Sequence, residues 1–346
     1  MAETETKTVE NEALRIVSTS PHAHSGSDVQ HIMLDVIIAL VPAFLVACFF
    51  FGWDAIRLTF ACVLGCVAVE ALCRKAMGRD LGIADLSAVV TGILLAFNLP
   101  PSIPTWMAVV GSVFAIAVAK QVFGGIGYNP FNPALVGRVV LLISFPVAMT
   151  RWSQWTIPSP IGTVDAVTSA TPLGLVKTSL LSSGTLPYSF DNATMLQMFT
   201  GATNGCIGEV SAAALLLGGA YLLWRRCITW HTPAFYIGTV AVFSAILWAV
   251  DPSHNMPPHF HLLAGGLMLG AIFMATDMVT SPVTLKGMAV FGIGCGVLTM
   301  VIRKWGGYPE GVSFAILLMN SITPLINRAT RPRVFGHARK KTPDKK

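Results

Sequence analysis

Charge is scarce in this sequence. Of 346 residues, 12% are Asp, Glu, Lys or Arg and 53% are apolar, whereas soluble domains carry about 25% charged residues. With a mean hydropathy of +0.66, the composition excludes an ordinary soluble domain and indicates a membrane protein. Acids are scarcer than bases, and the net charge is +6. That excess does not indicate a nucleic-acid partner. Much of it lies in the segment 328–346, with Arg331, Arg333, Arg339, Lys340, Lys341, Lys345 and Lys346. On a membrane protein such a tail is first a topology signal and second a contact for anionic membrane lipids.

Other features are missing too. The stretch "MAETETKTVENEALRIV" has no basic n-region followed by a short apolar core, so the first spanning helix is expected to stay uncleaved. The cysteines offer no disulfide framework. Cys48, Cys62, Cys66, Cys73, Cys227 and Cys295 fall in or beside apolar runs, and Cys206 stands alone in a polar loop. They read as small, buried, apolar-like side chains. No cysteine set suits an iron–sulfur cluster, and no glycine fingerprint suits a dinucleotide. His259 and His261 precede an apolar run without further ligands nearby, so no metal is expected.

What the sequence has is apolar length. A bilayer core of about 30 Å needs about 20 apolar residues in a helix. Ten stretches qualify as candidates: 31–51, 55–77, 83–98, 104–123, 132–149, 209–225, 233–250, 260–276, 286–303 and 309–327. Backbone groups in lipid must be satisfied internally, so these are read as helices and the protein as all-α and polytopic. The distribution of Lys and Arg places both termini in the cytoplasm and the loop 150–208 on the outer side. Trp53, Trp106, Trp152, Trp155 and Trp305 fall near the outer boundaries of these stretches, as an aromatic belt would.

A weak internal repeat divides the chain. In "FNLPPSIPTWMAVVGSVFAIAVAKQVFGGIGY" and "TDMVTSPVTLKGMAVFGIGCGVLTMVIRKWGGY", Ser102 aligns with Ser281 and Thr105 with Thr284. The offset spans five helices, an odd number, so the copies would run in opposite directions. This is the inverted-repeat plan of many transporters, with sites where broken helices meet. The expected organisation is a cytoplasmic segment 1–30, a first five-helix repeat 31–149, an outer loop 150–208, a second repeat 209–327 and a basic tail 328–346.

"DAVTSATPLG", Asp165 to Gly174, is a polar island between the repeats. Thr171 has no general base close in sequence to make it a nucleophile. Small neighbours and Pro172 leave an extended, accessible hydroxyl suited to covalent modification. The same stretch also reads as a plain solvated loop. Elsewhere, Asn129, Pro130, Asn132 and Pro133 break a helix and could cradle a polar ring or an ion, or form a tight turn. Arg138 lies inside the fifth stretch, where a charge is functional or snorkels to the surface. Asp277, beside Thr280 and Ser281, could bind a cation, accept a hydrogen bond from a flavin or cap a helix. Asp35, Glu70 and Lys120 lie near helix ends and are expected at the membrane interface.

The heptapeptide Asp165-Ala166-Val167-Thr168-Ser169-Ala170-Thr171 resembles the flavin-attachment motif of the NqrB/RnfD family. These are membrane subunits of the sodium-pumping NADH:quinone oxidoreductase and of the Rnf ferredoxin:NAD oxidoreductase. "GGIGYNPFNPALVGRVVLLISFP" (Gly124 to Pro146), "FMATDMVTSP" (Phe273 to Pro282) and "SPHAHSGSDVQHIMLDVIIALVPA" (Ser20 to Ala43) resemble other family segments in the family order. The short lead resembles the RnfD branch. Met278-Val279 departs from the proline that many relatives carry after the aspartate.

The resemblance implies a urea-transporter-like fold and FMN held by a phosphoester on Thr171, with Asp165, Thr168, Ser169 and Ala170 as the attachment motif. It implies a second, non-covalent flavin such as riboflavin. Asn129, Asn132, Arg138, Asp277 and Ser281 are candidates for that flavin or for an ion. It also implies a flavin transferase for maturation, membrane and soluble iron–sulfur and flavin subunits as partners, and coupling to Na+ or H+ movement in a bacterial inner membrane. NAD and ferredoxin chemistry would belong to those other subunits. Two rivals are an NqrB-like quinone reductase subunit and a transporter or channel without redox chemistry.

Overall fold

The computed structural model describes residues 28–80, 82–152, 171–184, 186, 192–201, 203–209 and 211–332. Among these residues there are helices and no strands. Five helices are long and apolar enough to cross a membrane: α1 (Val29–Phe51), α2 (Trp53–Ala76), α10 (His231–Val250), α13 (Leu285–Trp305) and α14 (Val312–Ala329). Four shorter apolar helices match further sequence stretches. They are α3 (Ser87–Phe97), α4 (Thr105–Val113, continued as a π-helix over Phe114–Gln121), α5 (Pro133–Ser144) and α9 (Ala212–Trp224). The stretch expected at 260–276 is divided. α11 (Pro258–Leu263) ends before α12 (Leu267–Leu269), which runs on as a π-helix over Gly270–Met274. The protein is an all-α polytopic membrane protein.

Local chemistry explains the shorter elements. Asn132 caps α5, its Oδ1 accepting from Ala134 N at 3.1 Å and Leu135 N at 3.4 Å, with Pro133 in the first turn. Ser211 caps α9 by accepting from Ala214 N at 3.2 Å. Thr284 caps α13 by accepting from Gly287 N at 3.0 Å. Each supplies an acceptor to an N–H that the helix itself leaves without a partner. Thr105 and Thr284, paired in the sequence repeat, therefore both stand at helix starts.

Between helices in lipid the hydrophobic effect offers little, so close backbone approach matters more. A Cβ at Gly218 on α9 would lie 2.1 Å from the Ala39 carbonyl oxygen on α1. One at Gly292 on α13 would lie 2.9 Å from the Thr232 carbonyl oxygen on α10. The apolar side chains that turn away from these contacts stay exposed, including Leu45, Phe49, Phe60, Leu64, Val242 and Ile246. They form the surface that faces acyl chains.

The loop 150–208 is not uniformly irregular. Its described part contains α7 (Pro172–Ser182) and α8 (Asn192–Thr200), which follow the short α6 (Pro146–Met149). Arg57 near the start of α2 donates to Thr105 Oγ1 at 3.0 Å, and Ser102 Oγ donates to the Arg151 carbonyl at 2.9 Å. The second of these bonds holds Arg151 at the end of the bundle where α1 finishes. The opposite end holds the first turn of α1. Trp53, Trp106 and Trp305 are exposed, whereas Trp155 lies outside the described residues.

Candidate functional site

Thr171 is the N-cap of α7. Its backbone is extended, its Oγ1 accepts from Gly174 N at 3.1 Å, and Pro172 follows in the first turn. Thr171 is half-buried and lines a cavity with Arg138, Trp152, Glu209, Tyr308 and Glu310. Asp165, Thr168, Ser169 and Ala170 lie outside the described residues. Farther along α7, Lys177 Nζ donates to the carbonyls of Gly306 and Tyr308. Desolvation lowers the pKa of this ammonium from the ordinary lysine value. These bonds tie the Thr171 helix to the loop that carries Glu310.

Arg138 does not snorkel. It is 6% exposed, and every described polar contact it makes is inside the protein. Nη1 donates to Asn98 Oδ1 at 2.8 Å. Nη2 pairs with Glu310 Oε2 and lies 3.5 Å from Glu209 Oε1. Cys206 Sγ lies 3.8 Å from Nη2 and donates to the Asn98 carbonyl at 3.3 Å. Gly266 N donates to Glu310 Oε1 at 2.7 Å. A lone guanidinium in lipid is costly; here two carboxyl groups and an amide replace the lost water.

The other candidates gather at the opposite end. Asn129, Asn132 and Asp277 line a second cavity together with Ile32, Thr91 and Lys120. Asn132 Nδ2 donates to the Met274 carbonyl at 3.4 Å, joining the start of α5 to the end of the second π-helix. Asp277 accepts from Thr280 Oγ1 at 3.1 Å and from Val279 N at 3.4 Å, so it orders the turn that follows that helix. Ser281 is half-buried and is not among the lining residues; its N–H donates to the Asp277 carbonyl at 3.0 Å. Asn129, Asn132, Arg138, Asp277 and Ser281 therefore do not form one site. The structure places Arg138 with Thr171 and leaves Asn129, Asn132 and Asp277 together.

Glu70 and Lys120 are buried within the protein and paired with each other. Lys120 Nζ meets both Glu70 oxygens, at 3.0 and 2.9 Å, and Ser87 Oγ at 2.6 Å. Gln121 Nε2 donates to Glu70 at 2.8 Å, and Arg74 approaches it at 3.1 Å. Glu70 is fully buried and Lys120 nearly so. Lys120 lies on the π-helix of α4, a wider turn that often accompanies functional positions. Asp35 is also buried, held by Arg225 and Tyr221. Among the described residues, no group of three or more His, Cys, Asp or Glu side chains is placed to hold a metal ion.

The profile of the NQR2, RnfD, RnfE family matches residues 16–336. The chain belongs to this family. It is 48% identical over 328 residues to the D-type subunit of the Na(+)-translocating ferredoxin:NAD(+) oxidoreductase complex of Acetobacterium woodii, covering 94% of this chain and 96% of that one. It is 44% identical to the D-type subunit of the proton-translocating ferredoxin:NAD(+) oxidoreductase complex of Clostridium ljungdahlii, over 93% of this chain and 96% of that one. It is 43% identical to the D-type subunit of the ion-translocating oxidoreductase complex of Stutzerimonas stutzeri, over 90% and 93% of the two chains.

Glu209 and Glu310, which meet Arg138 in the structure, carry no mark of that role in the sequence. Glu209 and Glu310 stand where polar loops enter apolar helices, a position that reads as an interfacial flank. The available signal was Arg138: a cation that deep in an apolar stretch requires a buried acid somewhere else in the chain.

Proposed function

We propose that this chain is the D-type membrane subunit of an ion-translocating ferredoxin:NAD(+) oxidoreductase complex, and that Thr171 carries FMN through a phosphoester. The observation that carries the flavin reading is the placement of Thr171 at the N-cap of α7 on the wall of a cavity. A phosphoester on an N-cap oxygen puts its negative charge at the positive end of the helix, beside N–H groups that lack helical partners. The lining of the cavity suits a ring. Trp152, Tyr308 and Phe314 supply aromatic surface, and Arg138 Nε is buried with no hydrogen-bond partner among the described residues.

Bound there, FMN would supply one- and two-electron transfer. The chain's own part is to hold, orient and exclude water. Thr171 anchors, the Lys177 bonds fix α7 against the 306–311 loop, and Arg138 with its carboxyl partners sets the field beneath the cavity. Asn129, Asn132 and Asp277 are proposed for a second, non-covalent flavin such as riboflavin, since two amides and one acid can satisfy a neutral polar ring edge. Both termini are assigned to the cytoplasm and the Thr171 end to the outer face of a bacterial plasma membrane. Flavin transferase, further membrane subunits, and soluble iron–sulfur and flavin subunits are the assigned partners.

The test is direct. Co-expressed with a flavin transferase, the denatured protein is expected to fluoresce in a gel. Thr171→Ala is expected to abolish that signal while the chain still inserts into the membrane. A wild-type band that stays dark, with intact mass showing no adduct, overturns the flavin assignment.

A further inference from the structure

The carboxyl groups of Glu209 and Glu310 occupy one buried spot. A Cβ at Gly266 would lie 2.6 Å from Glu310 Oε1 and 3.1 Å from Glu209 Oε1. Arg138 Nη2 contacts both carboxyls, so the two acids converge on one guanidinium nitrogen. Both side chains are largely buried, at 6% and 16% exposed. Glu209 Oε1 is buried and has no hydrogen-bond partner among the described residues. Two facing carboxylates repel each other; one proton between them turns that repulsion into a hydrogen bond.

Among the described residues, Arg138 is the one cation in ion-pair contact with either acid. Arg138 on α5 contacts both acids, but it brings one positive charge to two carboxyls. Arg303 on α13 keeps its charge near Glu310 but forms no ion pair with either acid among the described residues; its two terminal nitrogens donate to the carbonyls of His261 and Ala264, at 2.7 and 3.0 Å. Cys206 is buried beside Glu209, its backbone N–H reaching Glu209 Oε2 at 3.5 Å. The Tyr236 hydroxyl on α10 is paired with Thr299 at 2.7 Å. Tyr308, from the 306–311 loop, lines the same cavity.

We propose that Glu209 and Glu310 form a proton-holding dyad, sharing one proton at rest and taking up a second when negative charge is added in the Thr171 cavity. The second half of this proposal rests on the assignment of FMN to Thr171. The balance is simple. One electron delivered to the cavity by a reductant adds one negative charge. One proton from water, taken by the ionised member of the dyad, leaves both acids neutral and cancels that charge. Arg138 stays protonated throughout, so it orients the dyad without exchanging its proton.

Infrared spectroscopy of the flavinylated full chain in detergent tests both halves. The resting protein is expected to show the carbonyl stretch of a neutral carboxylic acid, shifted in D2O. Glu209→Gln and Glu310→Gln should each remove the same band, because the remaining carboxyl ionises against Arg138. Dithionite reduction should raise the dyad band about two-fold in wild type, from one protonated carboxyl to two, and bring the band up in each variant, whose one remaining carboxyl is ionised at rest. Covalent flavin fluorescence and monodisperse elution check that the variants are folded.

A resting band that survives in either variant overturns sharing, because the proton then belongs to one residue. A band unmoved by reduction, in protein whose gel fluorescence shows attached flavin, overturns the coupling and leaves the function of Thr171 standing. Absence of attached flavin overturns the function and the coupling together. The resting band then still decides the shared proton.

Discussion

The cavities at the two ends of the bundle are built from different chemistry. The Thr171 cavity rests on charge: Arg138, Glu209 and Glu310 converge from separate parts of the chain, with Asn98 as a neutral partner. The Asp277 cavity rests on amides and turns: Asn129 and Asn132 bond to backbone carbonyls, and Asp277 accepts from its own turn. Its one lysine, Lys120, is already neutralised by Glu70 behind the wall. The first cavity can answer a change of charge with a movement of protons. The second offers fixed dipoles and suits a neutral polar ring.

The largest effect should come from removing the charge that organises the first cavity. Arg138→Met leaves two buried carboxyl groups without their cation. Breaking a buried pair from one side costs about 3–5 kcal/mol. Thermal unfolding of the detergent-solubilised chain measures it; a loss below about 1 kcal/mol would show that the cavity is not held by charge.

The matching change at the other end should cost less. Lys120→Met removes one partner of Glu70, but Arg74 and Gln121 remain on the same carboxylate. The expected loss is about 1–3 kcal/mol, the cost of a partly unsatisfied buried polar group. If it equals or exceeds the Arg138 loss in the same assay, the contrast between a charged cavity and a neutral one fails.

These pairings also explain how much could be read from sequence. Hydropathy located the long helices because lipid burial depends on local composition. It placed α1, α2, α10, α13 and α14 close to their observed limits. It read 260–276 as one span because the break at Ala264-Gly265-Gly266 is small and apolar; Gly265, at φ +71°, is what lets the chain turn there. Nearness to helix ends marks Glu70 and Lys120 in the sequence, but not their pairing, since they stand 50 positions apart. The partner of Arg138 lies 172 positions away. Composition along the chain carries no record of such a meeting. The heptapeptide ending at Thr171 stands out because it is contiguous, whereas the acids beneath the cavity come from separate segments.

A smaller effect tests the amide end. Asn132→Ala removes the α5 cap and the bond to Met274. A lost cap costs about 1 kcal/mol, read as a modest fall in unfolding temperature. The same variant should retain covalent flavin fluorescence while losing any flavin that trichloroacetic acid releases from wild type. Retained acid-releasable flavin would remove Asn132 from the second site.

The smallest effect is also the most discriminating one for Thr171. Its Oγ1 is at once the cap of α7 and the proposed attachment oxygen. Thr171→Ser keeps that oxygen and the Gly174 bond, so the unfolding temperature should stay within error and some fluorescence should survive. Thr171→Val keeps the shape and loses the oxygen. It should cost about 1 kcal/mol, as other caps do, and abolish fluorescence. If Val keeps the fluorescence, the flavin is attached elsewhere. If Ser loses both stability and fluorescence, the methyl group is what positions the hydroxyl, and the cap geometry alone does not prepare this residue for esterification.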